Sequence, residues 1–335
     1  MRTKRGATVM EPLRKLGVWA FRDIDPKPFR VNPKGVSMSI SRLVLAAGAA
    51  AATLVLAASA NAQSATKHYH IFPATSFESL KKLPLPPPSD MNYYGGPVFS
   101  DVKVETVMWN SSVLQNTQDN IPLFTAALVD STYVDQMAEY NTKGAVAING
   151  HKSTNQTIHR GTYLGQVVLN PRNTSTVLTD DDIQKELKHQ IRKGVLVPHD
   201  QNTLYMIYFP SNITILLDGQ ASCVVFGAYH FATIDTGRAK TKNVFYSVEP
   251  ECDSGYDYLT FAASHEFAEA TTDNVPTPLV NPAWPQAWND STGYEIGDKC
   301  SGSGTLTSLA GSWEVTQYYL NSLHGCSVQT NYTSP

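Results

Sequence analysis

Long apolar runs are almost absent from this chain. The one that exists, Leu43 to Ala58 within "SRLVLAAGAAAATLVLAASANAQ", is short for a membrane span, and no later stretch reaches that length. Arg42 precedes it and the small-residue triplet Ala60-Asn61-Ala62 follows, the pattern of a secretory signal with cleavage expected after Ala62. Residues 1–62 are read as this signal region, against the alternative of an uncleaved anchor. Met38 sits just before the run, so residues 1–37 read as an upstream start-site extension or an unusually long n-region. Export to an extracellular or periplasmic space follows, with no membrane span once the signal is removed.

Charge is also scarce, at 16% of residues, and its sign changes along the chain. Residues 1–62 hold ten of the 26 Lys/Arg and three of the 29 Asp/Glu. That leaves 16 basic against 26 acidic residues, a net of −10, in the exported part. Such a surface repels phosphate backbones and argues against nucleic acid as a partner. Repeats, heptads and a G-x-S-x-G elbow are missing, which removes solenoids, coiled coils and an α/β-hydrolase serine. Four cysteines remain, Cys223, Cys252, Cys300 and Cys326, with no C-x-x-C spacing to suggest a zinc cluster. An even count in an exported chain reads as two disulfides. Of three possible pairings we favour Cys223–Cys252 and Cys300–Cys326, because each closes a loop of about 25–30 residues.

The positive signals are ordered along the chain. Residues 63–92 contain "LPLPPPSD" and read as an extended, proline-rich leader rather than packed structure; a single domain is expected over 93–335. "VKVETVMWN" reads as a strand, and "NIPLFTAALVDSTYVDQMAEY" as one or two helices. "HKSTNQTIHRGTYLG" is polar and loop-like, with room for a short strand. "TDDDIQKELKHQIRKG" predicts a helix capped by Thr179 and ended by Gly194, with Ile183, Leu187 and Ile191 toward a sheet. "TLYMIYFP", "CVVFGAYHF" and "VFYSVEP" read as strands, and "YLTFAASHEFAEATTD" as a helix. "SGSGTLTSLAGS" reads as a flexible turn, and "WEVTQYYLN" as a final strand. Strands and helices without strict alternation predict an α+β fold, a mixed sheet packed with helices.

The chemistry concentrates in "ASHEFAEATTD". It opens like the zinc-protease signature H-E-x-x-H but carries Glu269 in place of the second histidine. On a helix, His265 and Glu269 share one face, so both can reach one cation, while Glu266 stands one position round, where it can take a proton from water. A third ligand is needed, and "YEIGDKC" supplies Glu295 or Asp298, the other orienting His265 through its second nitrogen. Asp273 is a further candidate. No Lys or Arg within the stretch balances its acids, so a divalent metal is expected. Zinc comes first, and manganese, iron or calcium are also compatible with carboxylate ligands. The competing reading is a solvated acidic helix face. With one imidazole and two carboxylates, a zinc ion is near formal neutrality and polarises water weakly. His230 in "GAYHF" reads either as an oxyanion stabiliser in the same cleft or as a half-buried strand histidine. Trp284, Trp288 and Trp313 could stack on sugar rings or pack in the core.

"YYGGPVF", "VKVETVMWN", "CVVFGAYHF", "VFYSVEPEC", "LTFAASHEFAEATTD" and "GYEIGDKC" occur in this order in the phosphate-induced, EXORDIUM-like family of plant cell-wall proteins and its bacterial relatives, and the chain resembles that family over roughly residues 93–326. The resemblance implies a secreted protein. It matches the family's histidine–glutamate–x–alanine–glutamate segment at His265, Glu266, Ala268 and Glu269, and its Glu-Ile-Gly-Asp segment at Glu295 to Asp298. It also implies one cysteine pair before the helix and one after. Two functions are carried forward. One is a secreted, zincin-like metal-dependent hydrolase with Glu266 as general base, His265, Glu269 and Glu295 as ligands, and an extracellular peptide as substrate. The other is a non-catalytic extracellular or cell-wall-associated protein that binds a wall polymer and keeps a structural cation.

Overall fold

Strand "TLYMIYFP" is apolar on both faces, and a strand like that needs cover on both sides. The computed structural model provides it. It describes residues 71–80, 82, 84–86, 88–235, 243–276 and 284–330, all within one unit of the chain, 65–335. The signal region and its cleavage point at Ala62 lie outside the described residues. Six strands form the main sheet: β1 (Phe72–Pro73), β2 (Asp101–Met108), β3 (His159–Val168), β4 (Thr203–Phe209), β5 (Phe226–Ile234) and β6 (Asn243–Pro250). Their order is β1-β5-β6-β4-β2-β3. The β6-β4-β2-β3 part is parallel and the β1-β5-β6 part antiparallel, so the sheet is mixed.

One face is covered by α2 (Asp180–Lys193), placed after α1 (Gln115–Val129) in the chain. Ile183 and Leu187 pack on Val107, Ile207, Val244, Tyr246 and Val248. The helix starts with a reciprocal capping box between Thr179 and Asp182 and ends at Gly194, whose φ of 71° is the left-handed value that ends helices. The other face is covered by α1 and by α3 (Tyr256–Thr272). Phe124, Leu128, Leu259, Ala263 and Phe267 meet Val104, Leu204, Met206 and Phe245 there. Helices, a mixed sheet and two disulfides, Cys223–Cys252 and Cys300–Cys326, make this the α+β fold expected.

Three segments depart from the sequence reading. His159–Val168 is a ten-residue strand, not a loop with a short strand; as the sheet edge it keeps polar residues half exposed, which hides its periodicity. The glycine-rich "SGSGTLTSLAGS" is no loose turn. Its β7 (Ser303–Ser308) pairs in register with β8 (Gly311–Thr316), and Leu306 and Trp313 point into the core. The proline-rich leader is anchored at its start. Phe72 pairs with Ala228 of β5 and is buried against Tyr258 and Phe261. Further along, Ser89 and Met91 are hydrogen-bonded to Asp290 and Asn321.

Candidate metal centre

α3 is buried along its whole length from Tyr258 to Thr272. The solvated acidic face is therefore excluded: Glu266 is 0% and His265 3% exposed. The helix holds its acids inward because it lies against the sheet on one side and against β8 on the other, where Ser264 Oγ accepts from Thr316 N at 2.9 Å.

His265 and Glu269 meet as the i,i+4 spacing requires, with Nε2 3.0 Å from Oε1. The approach lies off the hydrogen-bond direction, and neither nitrogen of His265 has a hydrogen bond among the described residues. Two ligand atoms converging off the hydrogen-bond direction suit a cation about 2.0–2.2 Å from each. The "EIGD" turn folds over this pair, as expected. Asp298 N donates to Glu269 Oε1 at 3.0 Å, and Asp298 Oδ1 lies 3.8 Å from His265 Nε2. Gly297 makes the approach possible: a Cβ there would stand 2.6 Å from His265 Nδ1 and 2.8 Å from Glu269 Oε1. The expected orienting bond to His265 Nδ1 from Glu295 or Asp298 is not made. Asp298 Oδ2 instead accepts from Glu295 N, which shapes the turn.

His230 joins the centre from β5 as a fully buried side chain, not a half-buried strand histidine. Its Nε2 is 3.1 Å from the carbonyl oxygen of Asp273 and its Nδ1 is 3.1 Å from Glu266 Oε2. A carbonyl only accepts, so Nε2 carries the proton and Nδ1 faces the carboxylate. Glu295 Oε1 lies 3.6 Å from Nε2. Two groups thus offer converging donors, His265–Glu266–Glu269 and His230–Glu269–Glu295, and Glu269 belongs to both. Asp273 is not brought in as a ligand: its carboxylate accepts from Ala287 N at 2.9 Å and Asn289 Nδ2 at 3.2 Å, holding the following loop.

Sequence reasoning missed Glu249. On β6 the residues Phe245, Ser247 and Glu249 share the face turned to α3, while Val244, Tyr246 and Val248 face α2. The signal was there as two polar residues two apart in an apolar run. Burial, then the charge of Glu266, pushes the Glu249 carboxyl well above the usual range. Glu295 is pushed up in the same way by burial and then by Glu269, Asp273, Asp298 and Glu266. Carboxylates crowded out of water raise one another until a cation enters.

A cleft of about 220 Å³ leads from outside to His265 and Asp298. Its walls are Phe72, Phe261, Tyr294 and the Pro84–Leu85–Pro86 stretch of the leader. The Phe72 ring stands 4.9 Å from that of His265. Of the tryptophans considered for sugar stacking, Trp313 is in the core, Trp288 packs on Tyr93 and Tyr140, and Trp284 is exposed and stacked on His151. No family model, curated protein or solved structure matches the chain.

Proposed function

We propose that this is an exported metal-dependent hydrolase acting on peptide-like substrates, related to the EXORDIUM-like proteins its motifs resemble. The observation that carries the reading is the buried His265–Glu269 pair: its donor atoms converge at 3.0 Å with no hydrogen bond between them, at the foot of a cleft. His265 and Glu269 hold the ion, with Asp298 beside them. Zinc fits two such donors and a nearby carboxylate, and manganese or iron suits the carboxylate excess. When bound, the ion polarises a water or a carbonyl. Glu266, next on the helix, takes the proton, and His230 at 3.1 Å holds Glu266 in place and can share that proton. Two disulfides, and no helix among the described residues long and apolar enough to cross a membrane, accord with export.

One observation favours the second reading, a non-catalytic wall- or matrix-associated protein with a structural cation. Glu266 is fully buried and its Oε2 already engages His230, which suits a rigid ion cage better than a proton shuttle open to solvent. Metal content of the purified protein, with peptide and casein hydrolysis by wild type and Glu266→Gln, decides between them. Bound metal with hydrolysis lost in Glu266→Gln is the expected result. Bound metal with no hydrolysis in either protein leaves the structural cation, and absence of metal refutes both.

A further inference from the structure

Glu269 turns its two oxygens to two different histidines. Oε1 lies 3.0 Å from His265 Nε2, and Oε2 lies 3.8 Å from His230 Nδ1. The histidines come from different elements, α3 and β5. His230 is oriented as a ligand usually is: a backbone carbonyl fixes a proton on Nε2 and turns Nδ1 toward carboxylate oxygens. Nδ1 lies 3.1 Å from Glu266 Oε2 and 3.8 Å from Glu269 Oε2, so either a proton or a cation at Nδ1 holds the two carboxylates there. Glu295 Oε1 lies 3.6 Å from His230 Nε2, and one donor atom each from His230, Glu269 and Glu295 lies within 4.8 Å of the others. The same holds for His265, Glu266 and Glu269 on the other side. His265 adds an independent pointer, since it is 3% exposed and neither ring nitrogen has a hydrogen bond among the described residues.

We propose that the centre takes two divalent cations bridged by the Glu269 carboxylate, one on His265 and one on His230 with Glu295. A carboxylate bridge sets such ions about 3.5–4 Å apart. Glu249, buried beside Glu266, is a further carboxyl whose charged form a second ion would favour. The inference rests on the metal reading above and adds a second position to it.

The test is stoichiometry, which needs no substrate. Metal-free protein is loaded with excess zinc or manganese, desalted and measured by elemental analysis, and the manganese form is examined by electron paramagnetic resonance for spin coupling. Wild type is expected to retain two equivalents and show coupling. His230→Ala, and His230→Gln, whose amide can still donate to the Asp273 carbonyl, are expected to retain one equivalent and show none. Glu269→Gln is expected to weaken both positions at least tenfold. Wild type saturating at one equivalent, with both His230 variants also at one, overturns the second position and leaves the first intact. Wild type retaining none removes the metal reading itself.

Discussion

Replacing Gly297 by alanine places a methyl carbon where His265 and Glu269 already are. The new Cβ would stand 2.6 Å from His265 Nδ1, 2.7 Å from its Cε1 and 2.8 Å from Glu269 Oε1. Ordinary contact begins near 3.4 Å, so the ring, the carboxylate or the "EIGD" turn must move by roughly 0.6–0.8 Å. None moves easily: His265 is wedged against Phe72, and Glu269 Oε1 accepts from Asp298 N. Overpacking of this kind costs about 1–3 kcal/mol. For a chain of this size that is a fall in Tm of about 3–8 °C. Displacing a ligand or its support by most of an ångström costs about 10–100-fold in metal affinity. Thermal melting of the metal-free protein and chelator competition of the loaded protein measure the two effects separately. A Gly297→Ala protein with unchanged Tm and unchanged affinity would mean that the turn does not lie on the helix as described.

Three further outcomes are expected. Glu249 and Glu295 have folded-state values raised above the unfolded one, so what they contribute to stability is present below about pH 4.3 and is lost as pH rises through the folded values. The Tm of metal-free protein should therefore fall as pH rises above about 4.3, while the gain on adding zinc grows because ligands must shed protons; parallel curves with and without chelator would contradict this. Burial alone would raise Asp290, but hydrogen bonds from Lys299, Thr292 and Ser89 hold it at about 2. The stability it contributes, about 2 kcal/mol, should be lost as pH falls from about 4 toward 2, and Lys299→Met, which strands the buried carboxylate, should cost about 3–5 kcal/mol in urea unfolding. Phe72→Ala should cost about 3–5 kcal/mol and open the cleft, seen as faster modification of His265 by diethyl pyrocarbonate; an unchanged rate would show that Phe72 does not shield the ring.

How much of this was legible before the fold was known depended on whether a feature was local. The pairing of His265 with Glu269 is a property of four residues of helix, and it was readable. So were the Thr179 cap and the Gly194 stop of α2. The gathering of Glu249 and His230 is not local. Each is one polar residue on a strand whose neighbours are apolar, and only the identity of the helix covering that face reveals what it meets. The edge strand His159–Val168 was obscured for a related reason: half-exposed polar residues alternate too weakly to be told from a loop. Phe72 was hidden by the prolines that follow it, since composition describes a segment and says nothing of one ring that finds a hole. Burial of every residue on one side of α3 was beyond reach as well, because the acids that look solvated in a string are covered by residues from β5, β6 and the "EIGD" turn.

The Cys300–Cys326 bridge lies two residues beyond Asp298, and its partner follows the strand whose Tyr319 N donates to Ile296 O. The turn that brings Glu295 and Asp298 to the helix is therefore locked from one side by a covalent bond that forms only in an oxidising compartment. On the export proposed above, assembly would run in order: the polypeptide would leave the cytoplasm, its thiols would couple, and the turn would close on the helix only then. Protein produced in a reducing host should carry the helix's share of donors without the turn's.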